Sequence, residues 1–346
     1  MFFLLILIFP FDLHFIPNTA IPHVQPHPNT NIVAPKASRG FSVPLYHRAM
    51  LYREEFNLTK ATSSNYDAQK TMQRQALLLD IGSDLLWRPG FFSDVRTLEN
   101  ILVGCANNNL GHFDEETSGI LGLGLGYCSL TNQLKVTNFS FCLPGPDFIY
   151  GSTLGMFYTE PEKDNTITVP LLLNPLHPSH YFVGFQGISL NNQMVPIPSS
   201  HWEFSTNPES NIDGGVLVDS GASVSWMPTQ VYEIFSSNFV QLTNMIQEEA
   251  TDSTKFDTCF STRSTSRSVP EVKFHFTNTY SLTLTMEQLF WRYSLQNKPD
   301  MLCLAFHHGL RFGFTIIGSK QLQVQGTRQT YDLVNMNLKL TPNECY

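Results

Sequence analysis

Two short stretches constrain this chain more than anything else in it. "LLLDIGSDLLW", residues 77–87, and "GGVLVDSGASVSW", residues 214–226, each run through apolar residues to an aspartate, Asp80 or Asp219. Each then turns at an Asp-x-Gly. A buried strand that ends on a charge needs a reason, because an unpaired carboxylate inside a protein is costly. Both stretches are followed downstream by two apolar residues and a glycine: "SGILGLG", Ser118 to Gly124, and "FTIIGSK", Phe314 to Lys320. The order is the same in both halves, which points to a duplicated architecture of two similar lobes facing each other. The spacing is unequal: Asp80 to Gly122 spans 42 positions and Asp219 to Gly318 spans 99, so the first half lacks most of an equivalent interior.

Two carboxylates facing each other cannot both ionise cheaply, so they share one proton over an acidic pH range. Such a pair can activate water as a base while protonating a carbonyl oxygen as an acid. Gly82 and Gly221 let the two turns approach, and the hydroxyls of Ser83 and Ser220 are placed to orient the carboxylates. A single Asp-x-Gly-Ser is usually only a turn. Its duplication, with an apolar strand before and an apolar-apolar-Gly after, makes Asp80 and Asp219 the candidate catalytic residues.

Between the motifs, short apolar runs alternate with Gly, Asn, Ser and Pro clusters, which reads as an all-β fold. "VLVDS", "YFVGFQGISL", "VKFHF", "SLTLTM" and "MLCLAF" are the plainest strands. One helix stands out: it starts at Pro228 and Thr229 and carries Tyr232, Phe235, Phe239, Leu242 and Ile246 at three- and four-residue spacing, ending near Glu249. A shorter turn is expected at 129–134. "GLGLG", Gly122 to Gly126, lacks the Lys-Ser/Thr of a phosphate loop and reads as packed strand. His307 and His308 read as loop, and His177 and His180, beside prolines, as exposed.

Only 14% of the 346 residues are charged, the formal net charge is −8, and no basic run exists, which argues against a nucleic-acid partner. The low Lys and Arg content suits a protein that works in acid. The apolar run Phe2 to Pro10 is too short for a membrane span and has the length of a signal-peptide core, so residues 1–20 are expected to be a signal peptide; the other reading of this run is a buried N-terminal strand. No other segment could span a bilayer. A secretory start makes disulfides the default for the six cysteines, none of which forms a Cys-x-x-Cys pair or a metal pattern with histidine. Neither metal nor cofactor is expected. Asn57 (NLT) and Asn138 (NFS) are candidate glycosylation sites.

These residues together resemble a pepsin-type aspartic protease, and more closely the plant nepenthesin-like group. "GFSVPLYHR" resembles the prosegment of that group, and "LLLDIGSDLLW" its first active-site strand. "VGCANNNLGHFDEETSGILGLGLGYCSLTNQL" resembles the rest of its first lobe. "YFVGFQGISL", "GGVLVDSGASVSWMP", "FDTCF", "MLCLAF" and "TIIGSKQLQVQGTRQTYDLVNMNLKLTPNEC" follow the second lobe. The resemblance covers roughly residues 40–346. It implies a bilobal all-β endopeptidase made as a zymogen, monomeric, secreted to the extracellular space or the vacuole, acting on protein or peptide substrates. It divides the chain into a prosegment at 21–74, a truncated N-terminal lobe at 75–145 and a C-terminal lobe at 146–346. It also implies disulfides Cys259–Cys303 and Cys142–Cys345, and leaves Cys105 and Cys128 without a family pairing.

The chain departs from the pattern in two places. The family has Thr after its first aspartate; Ile81 stands there, without a hydroxyl to bond the opposite loop, and Ala222 replaces a hydroxyl after the second turn. A buried carboxylate deprived of a donor is expected to shift its pKa upward. Between Trp87 and Val103 the family has a β-hairpin flap with a Tyr; only "RPGFFSDVRTLENIL" remains. A strand usually bearing Gly-Thr-Pro-Pro before the first aspartate is replaced by "YDAQKTMQRQA". Retention of both aspartates favours an enzyme. Loss of flap and Thr favours the alternative, a non-catalytic relative resembling plant xylanase inhibitors that binds other proteins.

Overall fold

The computed structural model describes residues 3–7, 41–47, 75–83, 87–88, 101, 104–105, 119–143, 152–157, 165–204, 214–249, 256–263, 268–278, 280–294, 300–309, 313–324 and 326–345. The first half consists of β1 (Phe3–Leu7), β2 (Phe41–His47), β3 (Gln75–Asp80), β4 (Trp87–Arg88), β5 (Gly104–Cys105), β6 (Ile120–Gly122), helix α1 (Leu130–Leu134), β7 (Asn138–Phe141) and β8 (Ser152–Phe157). The second opens with β9 (Ile167–Leu172), β10 (Tyr181–Val183), β11 (Phe185–Leu190), β12 (Gln193–Met194), β13 (Val216–Asp219), β14 (Ser225–Met227) and α2 (Thr229–Leu242). It continues with β15 (Gln247–Glu248), β16 (Cys259–Ser261), β17 (Val272–Phe276), β18 (Ser281–Thr283), α3 (Met286–Leu289), β19 (Phe290–Tyr293), β20 (Met301–Leu304) and β21 (Phe306–His308). It closes with β22 (Thr315–Gly318), α4 (Ser319–Leu322), β23 (Arg328–Asp332) and β24 (Asn337–Thr341).

Sixteen of the described strands form one sheet, and it is built twice. From its centre it runs β7-β8-β2-β1-β3-β6-β4-β5 one way and β23-β24-β9-β10-β13-β22-β14-β21 the other. The central pair, β7 with β23, is antiparallel. On one side the successive pairings are four antiparallel, one parallel, one antiparallel and one parallel. The other side repeats that sequence of senses. Register repeats too. Asp80 pairs with Gly122 as Asp219 pairs with Gly318, and Trp87 with Ile120 as Trp226 with Ile316. The duplication expected from the paired motifs is therefore a duplication of hydrogen-bond ladders.

A parallel pair needs a crossover. In the second half the crossover from β13 to β22 holds α2, the whole four-stranded sheet β15-β16-β20-β19, and β17 and β18, which pair with the preceding β11 and β12 in a second sheet, β12-β11-β17-β18. That insertion fills the longer spacing noted in the sequence. Helix α2 buries Val231, Tyr232, Phe235 and Phe239 on one face. It stops at Leu242 rather than near Glu249, and Ile246, expected on its apolar stripe, is 57% exposed. Thr243 is the cause: its backbone is extended, its Oγ1 donates to the Ser268 carbonyl and accepts from the Met245 N–H. A β-branched hydroxyl residue with these partners competes with the helical ladder. Helix α1 begins as expected, capped by Ser129 accepting from the Asn132 N–H.

The two disulfides implied by resemblance are present. Cys259 and Cys303 are direct cross-strand partners on β16 and β20. Cys142, just past β7, is bonded to Cys345 near the C-terminus. The pairing of Cys105 lies outside the described side chains.

Several expectations are corrected. Ser152–Phe157 pairs with β7 and occupies the place that β24 has in the second half, so the first lobe runs beyond residue 145. Asn138 is only 7% exposed, within a strand paired on both sides, and its Nδ2 donates to Thr137 Oγ1; a glycan has no room there. Asn57 lies outside the described residues. His307 and His308 are strand residues, held by parallel pairing to Trp226 and Met227. His177 and His180 are half-buried, because His177 packs edge-on against Phe314 at 4.9 Å. Of "GLGLG", only Gly122 is strand and the rest turns. Phe3–Leu7, within the expected signal peptide, is a strand paired to β2 and β3. Phe41–His47 pairs with β8, which leaves the prosegment expectation as it was.

Beneath the meeting of the halves lies an aromatic layer. Phe139 stacks on Tyr331 at 4.7 Å, Tyr181 tilts against Tyr331 at 4.9 Å, and Phe141 flanks them. Tyr181 donates its hydroxyl to the Leu123 carbonyl at 2.7 Å, tying the second half to the first. Tyr331 is fully buried, and its hydroxyl has no hydrogen-bond partner among the described residues. Such a group loses its water without replacement. Tyr331→Phe should therefore leave stability unchanged or raise it by about 1 kcal/mol. Thermal denaturation followed by circular dichroism checks this; a clear loss of stability would show that the phenol has a partner.

Candidate active site

The two aspartates end equivalent strands. β3 delivers Asp80 and β13 delivers Asp219, each beside the glycine of a parallel neighbour. After each, the chain turns back on the carboxylate it has just placed. The Gly82 N–H donates to Asp80 Oδ1 at 2.9 Å, and the Gly221 N–H to Asp219 Oδ1 at 2.7 Å. Each Asp-x-Gly is thus a closed local turn whose geometry its own side chain enforces.

Each loop's glycine faces the other loop's acid. A methyl group on Gly82 would stand 2.6 Å from Asp219 Cγ and Oδ1, and one on Gly221 would fall on the Asp80 carboxyl. The turns interlock in a space that admits no Cβ, which places the four residues in one site.

Electrostatics follow from this packing. Burial pushes the Asp80 carboxyl well above its ordinary range, and the neighbouring Asp219 charge and hydrogen bond push it further. The Gly82 N–H and, more weakly, Ser83 favour the charged form, but they do not prevail. Ser83 Oγ itself is shielded from solvent and not in hydrogen-bonding geometry with any described partner. Burial and the facing acid thus hold the Asp80 carboxyl toward its protonated form. Tyr331, below the site, also feels Asp219: burial first and that charge second push its phenol far above the usual range.

One side chain fastens loop to loop. Ser220 Oγ donates to the Leu79 carbonyl at 2.9 Å and accepts from the Ile81 N–H at 3.2 Å. Ser220 is fully buried, so neither bond has water as a substitute. The reciprocal link, from the first loop to the second, would need a hydroxyl at position 81. Ile81 is there instead, wholly buried and apolar. The site keeps half of a two-way clasp. Backbone bonds reinforce the outer turns: Leu123 N–H to Asp80 O at 2.9 Å, Gly124 N–H to Ser83 O at 2.8 Å, and Ser319 N–H to Ala222 O at 2.7 Å.

Of the residues expected at the site, Asp80, Gly82, Asp219, Ser220 and Gly221 are brought together, while the Ser83 hydroxyl, expected to orient a carboxylate, makes no hydrogen bond to a described partner. Leu79, whose carbonyl receives Ser220, and Tyr331 were not foreseen. The Ser220 bonds join residues 139 and 141 positions apart, and no local pattern announces them. Gln321 is another such residue. Its Oε1 accepts from the N–H and hydroxyl of Ser225 and its Nε2 donates to the carbonyls of Gln288 and Ala305, which fixes β14 behind the second turn. Among the described residues no group of three or more His, Cys, Asp or Glu could hold a metal ion, and no helix is long and apolar enough to cross a membrane.

The comparisons with known proteins agree with this geometry. Residues 180–342 match the family model "Xylanase inhibitor C-terminal" and residues 88–153 the model "Xylanase inhibitor N-terminal". The chain is similar to Aspartic proteinase nepenthesin-2 of Nepenthes gracilis, 27% identical over 260 residues that cover 74% of this chain and 56% of that protein. It is similar to Protein ASPARTIC PROTEASE IN GUARD CELL 2 of Arabidopsis thaliana, 30% identical over 252 residues covering 72% and 51%. The chain thus spans about half the length of the curated relatives it matches. Among solved structures, Basic 7S globulin from soybean aligns with a TM-score of 0.57 at 18% identity, over 78% of this chain and 87% of that one; this likeness is one of fold.

Ser220→Ala removes both cross-loop bonds and leaves the buried Ile81 N–H without a partner. The expected loss of stability is about 2–3 kcal/mol, measurable as a lowered denaturation midpoint. Ser220→Thr keeps the hydroxyl and should retain most of it.

Proposed function

Because the chain belongs to the plant, nepenthesin-like group of pepsin-type aspartic proteases, we infer that it hydrolyses peptide bonds in acid through Asp80 and Asp219. The observation that carries this reading is the interlock of the two turns, with each glycine against the other loop's carboxyl. Asp80, held protonated by burial and by its neighbour, is the acid that protonates the scissile carbonyl oxygen. Asp219 is the base that takes a proton from the attacking water. No covalent intermediate forms, and the substrate is a protein or peptide. The two disulfides support passage through an oxidising compartment, with secretion or the vacuole as destination. The strand pairing of Phe41–His47 with β8 is compatible with a zymogen in which this part of the 21–74 segment is a strand of the folded proenzyme.

A second reading has its own observation. The half clasp, with Ile81 buried where a hydroxyl would return the bond, supports a non-catalytic relative that binds proteins, like those for which the two matched models are described. The test is proteolysis of a denatured protein at about pH 3 to 5, with Asp80→Asn and Asp219→Asn as controls. The protease reading expects cleavage that both substitutions reduce by at least about a thousandfold. A folded wild-type chain with no cleavage would overturn the protease reading for this chain. Ile81→Thr should raise the rate, because it supplies the missing hydroxyl of the clasp.

The pH dependence of stability has a definite sign. Above the ordinary value of 3.8 the unfolded chain releases the Asp80 proton while the folded chain keeps it. The stability this group contributes is complete below that value and declines as pH rises toward the folded pKa. The melting temperature should therefore fall as pH rises from about 4, and Asp80→Asn should flatten that part of the curve in a calorimetric titration.

A further inference from the structure

We infer that Gln321 and Ser225 are positioning residues for the reaction: together they set Gly318, the sheet neighbour of Asp219, against the second aspartate turn. The inference rests on the peptidase reading above and adds to it how one of the two acids is held. Asp219 and Gly318 stand opposite each other on β13 and β22. Gly318 fits against the turn with no room to spare. A methyl group on it would lie 2.3 Å from the Val224 carbonyl carbon and oxygen and 2.9 Å from the Ala222 carbonyl oxygen. The next two residues are bonded to the same turn. The Ser319 N–H donates to Ala222 O at 2.7 Å, and the Lys320 N–H to Ser223 O at 3.2 Å. In a close-packed interior, a movement of Gly318 is therefore a movement of the turn that carries Asp219.

What holds Gly318 is a chain of side-chain bonds. Its N–H donates to Ser225 Oγ at 3.1 Å, and that hydroxyl donates to Gln321 Oε1 at 2.9 Å. The Ser225 N–H donates to the same oxygen at 2.9 Å. The other end of the amide, Nε2, donates to Gln288 O at 2.6 Å and to Ala305 O at 3.1 Å, and Gln288 Nε2 returns a bond to Gln321 O at 2.8 Å. Both donors and both acceptor positions of the Gln321 amide are thus in use. Ser225, Gln321 and Gln288 are all buried, so water replaces none of these bonds. A buried network with every member satisfied specifies one geometry. The duplication shows that the ladder itself does not require it. Counted from the paired Asp80–Gly122 and Asp219–Gly318, Ser225 and Gln321 correspond to Leu86 and Leu125. Leucine side chains make no such bonds, and the first aspartate still stands beside its glycine. The network serves the second acid alone, the one that takes the proton from water.

Ser225→Ala tests this, because it cuts the hydroxyl link and keeps the Ser225 N–H bond to Gln321. The substrate is a peptide spanning a site that the wild-type protein cleaves in a denatured protein at about pH 4. Per folded molecule, kcat should fall about tenfold or more while KM stays within about twofold. Ser225→Thr keeps the hydroxyl and should recover most of the rate. Ser225→Cys, which keeps the shape and weakens both bonds, is read in the same way if Ser225→Ala does not fold. Carbon-13 NMR of the aspartate carboxyls across pH gives a readout independent of turnover. A loosened second turn weakens the coupling between the acids, so the upper titration of the pair should move down in Ser225→Ala. A variant that melts lower yet cleaves at the wild-type rate per folded molecule, with an unchanged titration, has lost only stability, and that result overturns the proposal. A folded wild-type chain that cleaves nothing removes the peptidase reading instead. The titration then decides alone: a shift in Ser225→Ala upholds the positioning of Asp219, and an unchanged curve overturns it.

Discussion

Two carboxyls taken out of water and set against each other carry one proton between them, and the remaining structure serves to hold that arrangement. Neither loop can do so alone. Each turn is closed by its own aspartate, but the distance between acids is fixed by the other loop's glycine and by the Ser220 hydroxyl. Behind the turns, identical ladders bring each aspartate beside a glycine of a parallel strand. The central antiparallel pair, β7 with β23, sets the two ladders facing. Displacing any of these layers moves the acids apart, and with separation the cost of ionising the second falls.

The halves are equal in their ladders and unequal in their linkage. The second half hangs a helix, one small sheet and two strands of another on its crossover; the first has little there among the described residues. What remains common is the part that touches the acids. The asymmetry reaches the site at one residue. Ile81 buries an apolar side chain where Ser220 buries a hydroxyl, so the second loop grips the first without being gripped in return. Pre-organisation is what lets such a site act on a developing charge, which is why this one position bears on whether the pair performs chemistry or only persists.

Much of this was legible in residue order. The repeated Asp-x-Gly, each with an apolar strand before it and an apolar-apolar-Gly after it, located both acids and the duplication. The spacing of Tyr232, Phe235 and Phe239 located the helix. Legibility failed where a residue's fate depended on a distant neighbour. Asn138 carries an acceptor motif but lies inside a strand paired on both edges. Ile246 continues a helical stripe in sequence, yet Thr243 ends the helix first. Phe3–Leu7 has the composition of a leader core and equally that of a strand, and its pairing with β2 and β3 depends on residues far along the chain.

By itself, then, the sequence determined the class of fold, the identity of the two acids and the need for glycine after each, because turn chemistry and apolar periodicity are local properties. The tertiary structure decided the rest. It decided that the carboxyls meet, that burial and the facing acid push the Asp80 pKa up, that Ser220 spans 141 positions to reach the Leu79 carbonyl, and that Phe3–Leu7 pairs with β2 and β3. Those outcomes depend on burial and on partners far away in the chain, and neither is encoded in the residues adjacent to the ones they affect.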